Sequence, residues 1–334
     1  MFLISIIFLN DFFLIKYMNK KGNGNIPVLH AKGESIPEAW ENSILELYNK
    51  GLWWCRDEKT KDKGEPNLDS TMTIEITNPD SNLIMHQYHL YTFEGIFEYQ
   101  MEMLGAKNSW VILDKETTDW PYHYSERFLE YPRTEGFINQ IEKIIKGLSD
   151  NPSKRRNQII TWVPERDLDS KDPPCLQRVW FNIVPDESSK DNTYKLNTNY
   201  HFRSRNVMNA APVNMVGLWT LQSYIRDKII ENTGMSLQNG RLVDMVDSYH
   251  VSAQDKSQLV DFIGTLAKHS DLQSGERCYD KQTVFGSINK TLIENNIIEQ
   301  TKKQLAKKGQ EYKLDNEIEK IRQISQIVSE INKY

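Results

Sequence analysis

Residues 172–184 read DPPCLQRVWFNIV, and residues 195–215 read KLNTNYHFRSRNVMNAAPVNM. In the first run two prolines fix φ, remove two backbone donors and lead straight into Cys175. The following LQRVWFNIV (176–184) is rich in β-branched and aromatic residues and predicts a strand. KLNTNYHFRS (195–204) reads the same way, and the polar segment PDESSKDNTY between the two predicts an antiparallel pair. Rigid backbone then presents the Cys175 sulfur at the mouth of a sheet.

Working outward, TMTIEIT (71–77) alternates and stops at Asn78-Pro79, so it predicts a strand, as do NQIITWVP (157–164) and RLVDMVDSYHV (241–251). Ser35 and Pro37 open a helix with an apolar stripe at Trp40, Ile44, Leu45 and Leu47. TFEGIFEYQMEML (92–104) has helical spacing at Ile96, Phe97, Met101 and Leu104, with Gly105 as its stop. FINQIEKIIKGLSDNP (137–152) predicts an amphipathic helix ending near Gly147 and Pro152. PVNMVGLWTLQSYIRDKII (212–230) is apolar on nearly every side and starts on Pro212, which predicts a buried central helix. The final run repeats Ile at 318, 321, 324 and 327 and reads as an appended, partner-facing helix. With no internal repeat, the organisation is an α+β catalytic domain over 25–265, an N-terminal extension over 1–24 and a C-terminal helical extension over 266–334.

Composition narrows the function. A chain of 334 residues, 39% hydrophobic and 26% charged, has the apolar mass for a sizeable core. A formal charge of −5 lacks the positive field of a non-specific nucleic-acid binder. Three scattered cysteines, Cys55, Cys175 and Cys278, make neither a disulfide framework nor a metal-ligand pair, which fits a reduced, cytoplasmic setting with no metal. The apolar start MFLISIIFLNDFFL is too short to span a bilayer and is interrupted by Asn10 and Asp11, so no membrane association is expected. Met18 begins the flexible lead-in MNKKGNGNIP, which makes the preceding segment a start-site extension or a docking arm.

On position alone Cys175 divides evenly between an inert buried thiol and a nucleophile. Four arginines shift the weight, Arg155 and Arg156 in NPSKRRNQ and Arg203 and Arg205 in HFRSRN, because guanidinium groups fork onto phosphate and stabilise a thiolate. Arg203, in a strand-like run beside Ser204, reads as a binding residue, whereas Arg205 reads as a solubilising surface charge.

PPC, a strand, YHFRSRN, AAPVNM opening a buried helix, and DSYHV occur in an order and spacing that resembles the thymidylate synthase family, especially its archaeal-type and nucleotide-hydroxymethylase relatives. RRxQ some twenty residues before Cys175 and RSxxxxxxxPxN some thirty after it complete the set, over roughly residues 27 to 260. The resemblance implies a mixed β-sheet packed with helices and a sheet-to-sheet homodimer. It implies one-carbon transfer from 5,10-methylenetetrahydrofolate to C5 of a pyrimidine nucleotide monophosphate, with dUMP to dTMP leading. Cys175 would add to C6 of the base. Arg203 and Ser204 would hold the phosphate, with Arg155 and Arg156 reaching it from the neighbouring subunit. Asn214 would pair with O4 and N3–H of uracil, and His250 would contact the ribose 3′-hydroxyl. Glu98 is the chosen glutamate for water and proton transfer, with Glu102 and Glu94 as alternatives. Tyr124 would stand near the nucleophile and Trp120 in the folate pocket.

Four departures surround the donor and sugar positions. The family's pterin-binding aspartate is Asn206, the tyrosine two residues beyond the histidine is Ser252, the residue after the nucleophile is Leu176, and the usual C-terminal closing segment is replaced by the helical tail. A 5-hydroxymethylase acting on dUMP, dCMP or CMP, with water trapping the methylene, is therefore an alternative, and a non-catalytic nucleotide-binding homologue is another. As plain structure, Asn214 would cap a helix, His250 would be a hydrogen-bonded core group and Glu98 a solvated charge.

Overall fold

The computed structural model describes residues 24–55, 65–107, 122–189, 191–266 and 277–333. The expected N-terminal extension, up to Gly24, and Trp120 lie outside the described residues.

In chain order, β1 (Val28–Gly33) leads into α1 (Ile36–Lys50), whose first turn is capped by the Ser35 side chain. Next come β2 (Leu52–Cys55), β3 (Pro66–Ile76), β4 (Leu83–His86) and α2 (Phe93–Met103), which Thr92 caps. Then follow α3 (Tyr124–Leu129), a small ribbon of β5 (Tyr131–Pro132) and β6 (Phe137–Ile138), α4 (Gln140–Asp150), β7 (Gln158–Ile160) and α5 (Pro164–Asp167). The central run is β8 (Leu176–Pro185), β9 (Tyr194–Phe202), β10 (Arg205–Asn206), α6 (Ala211–Thr233) and β11 (Leu237–Val251). A 3₁₀ turn (Ala253–Asp255), α7 (Lys256–Leu266), β12 (Cys278–Asp280), α8 (Lys281–Gly286), α9 (Lys290–Lys307) and α10 (Leu314–Ile331) complete the chain.

One mixed sheet of eight strands organises the molecule, in the order β1-β3-β11-β9-β8-β7, with β2 added to β3 and β10 to β11. β8 and β9 pair antiparallel as expected, with Val179 opposite Tyr200 and Phe181 opposite Thr198. Along them Val179, Phe181, Leu196, Tyr200 and Phe202 are fully buried, so alternation places one face in the core. The register slips between Leu176 and Arg178, and β11 bulges between Val246 and Tyr249. Both irregularities lie beside the future site, where a bulge re-aims the following side chains.

α6 is buried along nearly its whole length and ends on Gly234, whose φ of 68° is the left-handed conformation that glycine adopts at least cost. Two of its polar core groups donate hydrogen bonds: Gln222 Nε2 to the Leu196 carbonyl at 2.6 Å, and Thr220 Oγ1 to the Val216 carbonyl at 3.0 Å. Trp40 of α1 reaches the same core and donates its indole N–H to the Val207 carbonyl at 2.8 Å.

Two expectations need correction. The 137–152 helix starts only at Gln140, because the Asn139 side chain caps it and Phe137 with Ile138 pairs back onto β5; Gly147 lies inside the helix. The C-terminal helix does not keep its stripe for another protein. Ile321, Ile324, Val328 and Ile331 are buried within this chain, where α10 packs on α2 and α6. Asn332 and Gln100 exchange a reciprocal pair of amide hydrogen bonds at 2.9 and 3.0 Å in the same buried layer. Replacing Ile321 by alanine is expected to cost about 2–4 kcal/mol of unfolding free energy in urea, the cost of a buried large-to-small change. A loss below about 0.5 kcal/mol, as at a surface position, would contradict the docked helix.

Candidate functional site

A cavity of about 520 Å³ opens where the N-terminal end of β8, the turn after β9, the first turn of α6 and α2 converge. Its volume is in the range that takes a drug-sized ligand. Cys175, Arg203, Ser204, Asn206, Asn214, His250 and Tyr124 all line it, so seven expected residues from four stretches of sequence meet in one space.

The loop that carries Cys175 is held chiefly by Arg203. The Arg203 backbone N–H donates to the Cys175 carbonyl at 2.9 Å, its Nε to the Pro174 carbonyl at 3.1 Å and its Nη2 to the Pro173 carbonyl at 2.5 Å. The guanidinium thus straps the PPC turn to the end of β9 while its charge stays beside the thiol. The Cys175 N–H is taken up by the Tyr122 hydroxyl at 3.2 Å. Burial pushes the Cys175 thiol above its usual range; Arg203, the Tyr122 hydrogen bond and Arg205 oppose that, while Asp172 adds to it. Burial likewise raises the phenols of Tyr122 and Tyr124, so both are neutral donors at neutral pH.

Asn214 sits in the first turn of α6, and its Nδ2 donates to the Tyr99 hydroxyl of α2 at 2.7 Å. The amide therefore keeps its oxygen and a second N–H for the cavity. Gly217, one turn along α6, makes this contact possible: a Cβ there would lie 2.5 Å from Cε1 of the Tyr99 ring. His250 follows the β11 bulge, and its Nδ1 lies 3.2 Å from the Ser248 carbonyl. Behind it the buried Asp69 carboxylate accepts the Ser248 hydroxyl with both oxygens at 3.0 Å.

Several expected residues are placed otherwise. Glu98 is not in the cavity wall; its carboxylate pairs with Lys107 Nζ at 2.5 Å. Glu102, one turn further along the same helix face, lines the cavity and approaches His123 Nδ1 at 2.7 Å. Asn206 lines the cavity, but its amide is engaged within the chain: Oδ1 accepts from the N–H groups of Met208 and Asn209, and Nδ2 donates to Asp255 at 2.6 Å and to Ser252 Oγ at 3.3 Å. Ser252 lies behind Asn206, not in the wall. Arg155 and Arg156 are exposed in the turn before β7, outside this chain's cavity.

Sequence reasoning missed Tyr99, Tyr122, Asn209 and Gln254 as wall residues. Tyr122, two residues before Tyr124 in PYHYS, and Tyr99, beside the singled-out Glu98, carried a faint signal through proximity. Arg205 was read as a surface charge; it is 2% exposed and belongs to the wall. Among the described residues no cluster of His, Cys, Asp and Glu is arranged to hold a metal ion, and no helix is long and apolar enough to cross a membrane.

Comparison with known proteins gives the family. Three archaeal proteins, each carrying the name "putative thymidylate synthase", are similar to the chain. The protein of Methanococcoides burtonii is 27% identical over 67% of this chain and 89% of its own length. That of Methanocaldococcus jannaschii is 35% identical over 47% of this chain and 64% of its own length. That of Methanosarcina barkeri is 28% identical over 59% of this chain and 80% of its own length. The model of the thymidylate synthase family matches residues 17–334, and with an ordered loop, strap and amide converging on one cavity, the chain belongs to the thymidylate synthase family.

Proposed function

We propose that the cavity binds a pyrimidine nucleoside monophosphate, dUMP in the leading reading, and transfers a one-carbon unit to its C5 to give dTMP. The observation that carries this is the convergence of Cys175, Arg203, Ser204 and Asn214 on one enclosed space. Arg203 has one terminal nitrogen, Nη1, beyond the two that hold the proline carbonyls, and with Ser204 it suits a phosphate. Arg155 and Arg156 would supply further charge from a second copy. Half-exposed Trp180, Val243 and Met245 alternate with buried neighbours on β8 and β11 and form the sheet face that such a homodimer would cover.

In the chemical step the Cys175 thiolate adds to C6, its electron pair forming the S–C6 bond while the C5–C6 pair shifts toward C5 and O4. The N–H left on Asn214 donates to O4, where negative charge develops, and its oxygen accepts N3–H. After C5 has taken up the carbon unit, the C5 proton is removed through water ordered at Glu102, the glutamate that reaches the cavity; the electron pair left at C5 breaks the bond from the carbon unit to the donor nitrogen, hydride or water adds to the exocyclic carbon, and the pair returned to C5 expels the Cys175 thiolate and restores the C5–C6 double bond. His250 is placed to take a ribose hydroxyl. Asn209, Gln254 and Tyr91, which line the same cavity as Asn206, offer the amides and the ring face that suit a pterin. Methylenetetrahydrofolate held there would supply the one-carbon unit and, in the methyl-forming branch, the hydride.

A second reading has a specific support: the Asn206 amide is spent on Asp255 and on two backbone N–H groups, so the donor loses a contact. A loosely held donor favours trapping of the methylene by water, which makes the chain a 5-hydroxymethylase. Mass spectrometry of the product from dUMP and methylenetetrahydrofolate separates thymidylate from a 5-hydroxymethyl nucleotide. Absence of tritium release from 5-tritiated dUMP and from dCMP, with nucleotide still bound, would leave a binding protein and overturn both enzymatic readings.

Cys175→Ser is expected to retain dUMP binding by calorimetry and to lose tritium release by at least about a thousandfold, since a neutral hydroxyl is a far weaker nucleophile. Asn214→Asp is expected to reverse the preference for dUMP over dCMP in the same assay, because a carboxylic acid presents the pattern complementary to a 4-amino group. Gly217→Ala should displace the Tyr99 ring, weaken dUMP binding about tenfold and cost roughly 1–3 kcal/mol of stability as an overpacked contact. Unchanged affinity in that variant would detach Tyr99 from base reading.

A further inference from the structure

Two residues beyond Arg203, Arg205 turns its side chain into the protein. Its Nη2 makes a close hydrogen bond and ion pair with Asp244 Oδ2, and both side chains are at most 1% exposed. The guanidinium lies over the Phe202 ring, 4.4 Å from its centroid, and 5.6 Å from that of Tyr249. A hydrocarbon-walled ion pair of this kind is poor economy if it serves stability alone, because desolvating two charges offsets most of their attraction. It is also incompletely satisfied: Arg205 Nε and Nη1 and Asp244 Oδ1 have no hydrogen-bond partner among the described residues. A native protein that leaves two buried guanidinium donors unpaired usually uses them elsewhere. What little surface Arg205 retains is cavity wall, shared with Cys175, Tyr122 and Tyr124.

We infer that Arg205, oriented by Asp244, is a positioning residue for the nucleophile: a permanently charged group under the cavity floor that stabilises negative charge on Cys175. Arg203 must divide its guanidinium between the proline carbonyls and an incoming anion, so its field at the sulfur changes when a phosphate binds. Arg205 is shielded from that exchange and keeps its field. Asp244 supplies the orientation and does not itself line the cavity. The groups facing Cys175 are Asp172 on its own loop, Tyr122 and Tyr124 before and in α3, and Arg203 and Arg205 after β9; those facing Arg205 are Asp244 and Tyr249 on β11 and Tyr200 on β9. Burial raises the Cys175 thiol on balance; Asp172 adds to that rise, the tyrosines are neutral, and the two arginines are the charges that oppose it.

The inference rests on the proposed role of Cys175, but its test needs no nucleotide. Arg205→Gln combined with Asp244→Asn removes both charges together, so neither is left buried alone. Iodoacetamide labelling of the full chain, followed at the Cys175 peptide as a function of pH, reads thiolate formation directly. The double variant should move the labelling midpoint upward and slow Cys175 labelling at pH 7.5 by about threefold, the factor for half a pKa unit. Arg205→Lys should recover most of that rate, whereas a merely structural role would be mended equally well by a neutral, well-packed pair. An unmoved midpoint in a folded double variant overturns the inference. Should the variants not fold, the wild-type chain decides: with ¹⁵N-arginine labelling, the Arg205 Nε–H resonance should shift at the labelling midpoint of Cys175 and cease to do so in Cys175→Ser. A resonance that ignores the thiol overturns the inference. A chain inactive on dUMP whose midpoint still responds to Arg205 would sink the proposed reaction and sustain this role.

Discussion

The strap from Arg203 to the proline turn is the constraint on which the rest of the site depends. Pro173 and Pro174 have no N–H to offer, so these two residues are tied through their carbonyls, by Arg203 just beyond β9 and, at Pro174, also by Gln177. The Arg203 N–H adds a third bond to the Cys175 carbonyl, which fixes the sulfur relative to β9. Because Arg203 and Ser204 continue directly from that strand, the position of the Cys175 sulfur and that of these two side chains are one geometric fact. In the proposed reaction this single turn of chain would set the distance between substrate phosphate and substrate ring.

Around this strap the helices supply what the sheet cannot. α6 brings Asn214 to the cavity on its first turn, and α2 brings Tyr99 and Glu102 to the facing wall. The two helices approach closely at Gly217, so the orientation of the Asn214 amide is set by helix packing as much as by its own rotamer. The C-terminal helix α10 presses on the outer side of the same pair, and Gln100, between Tyr99 and Glu102 in sequence, bonds both Thr220 of α6 and Asn332. A tail that looked like an appendage is thus a brace for the cavity wall that carries Asn214 and Tyr99.

The polar groups beneath the site are unevenly satisfied. Asp69 accepts from Ser248, and Asn206 engages both ends of its amide within the chain. Arg205 and Asp244 keep unpaired polar atoms, which is costly for buried groups. Arg205 also reaches the cavity wall. Cys175 stands there, in a burial that by itself would hold its thiol protonated.

What the sequence alone determined is local. The PPC turn, the alternation of β8 and β9, the all-round apolar face of α6 and the order of Cys175, Arg203 and Asn214 are properties of short stretches, governed by dihedral limits and periodicity. They sufficed for the fold class and for seven of the residues that line the cavity. Only the tertiary structure decided that Glu102 and not Glu98 reaches the cavity, because both lie on one helix face and Lys107 occupies the first. Only it turned Arg205 from a surface charge into a buried one, because its partner Asp244 is thirty-nine residues away on β11. The docking of α10, too, depends on Gln100 and Asn332, far apart in the chain. Pairings of that range leave no periodic trace in sequence; they exist only once the sheet has brought their strands and helices together.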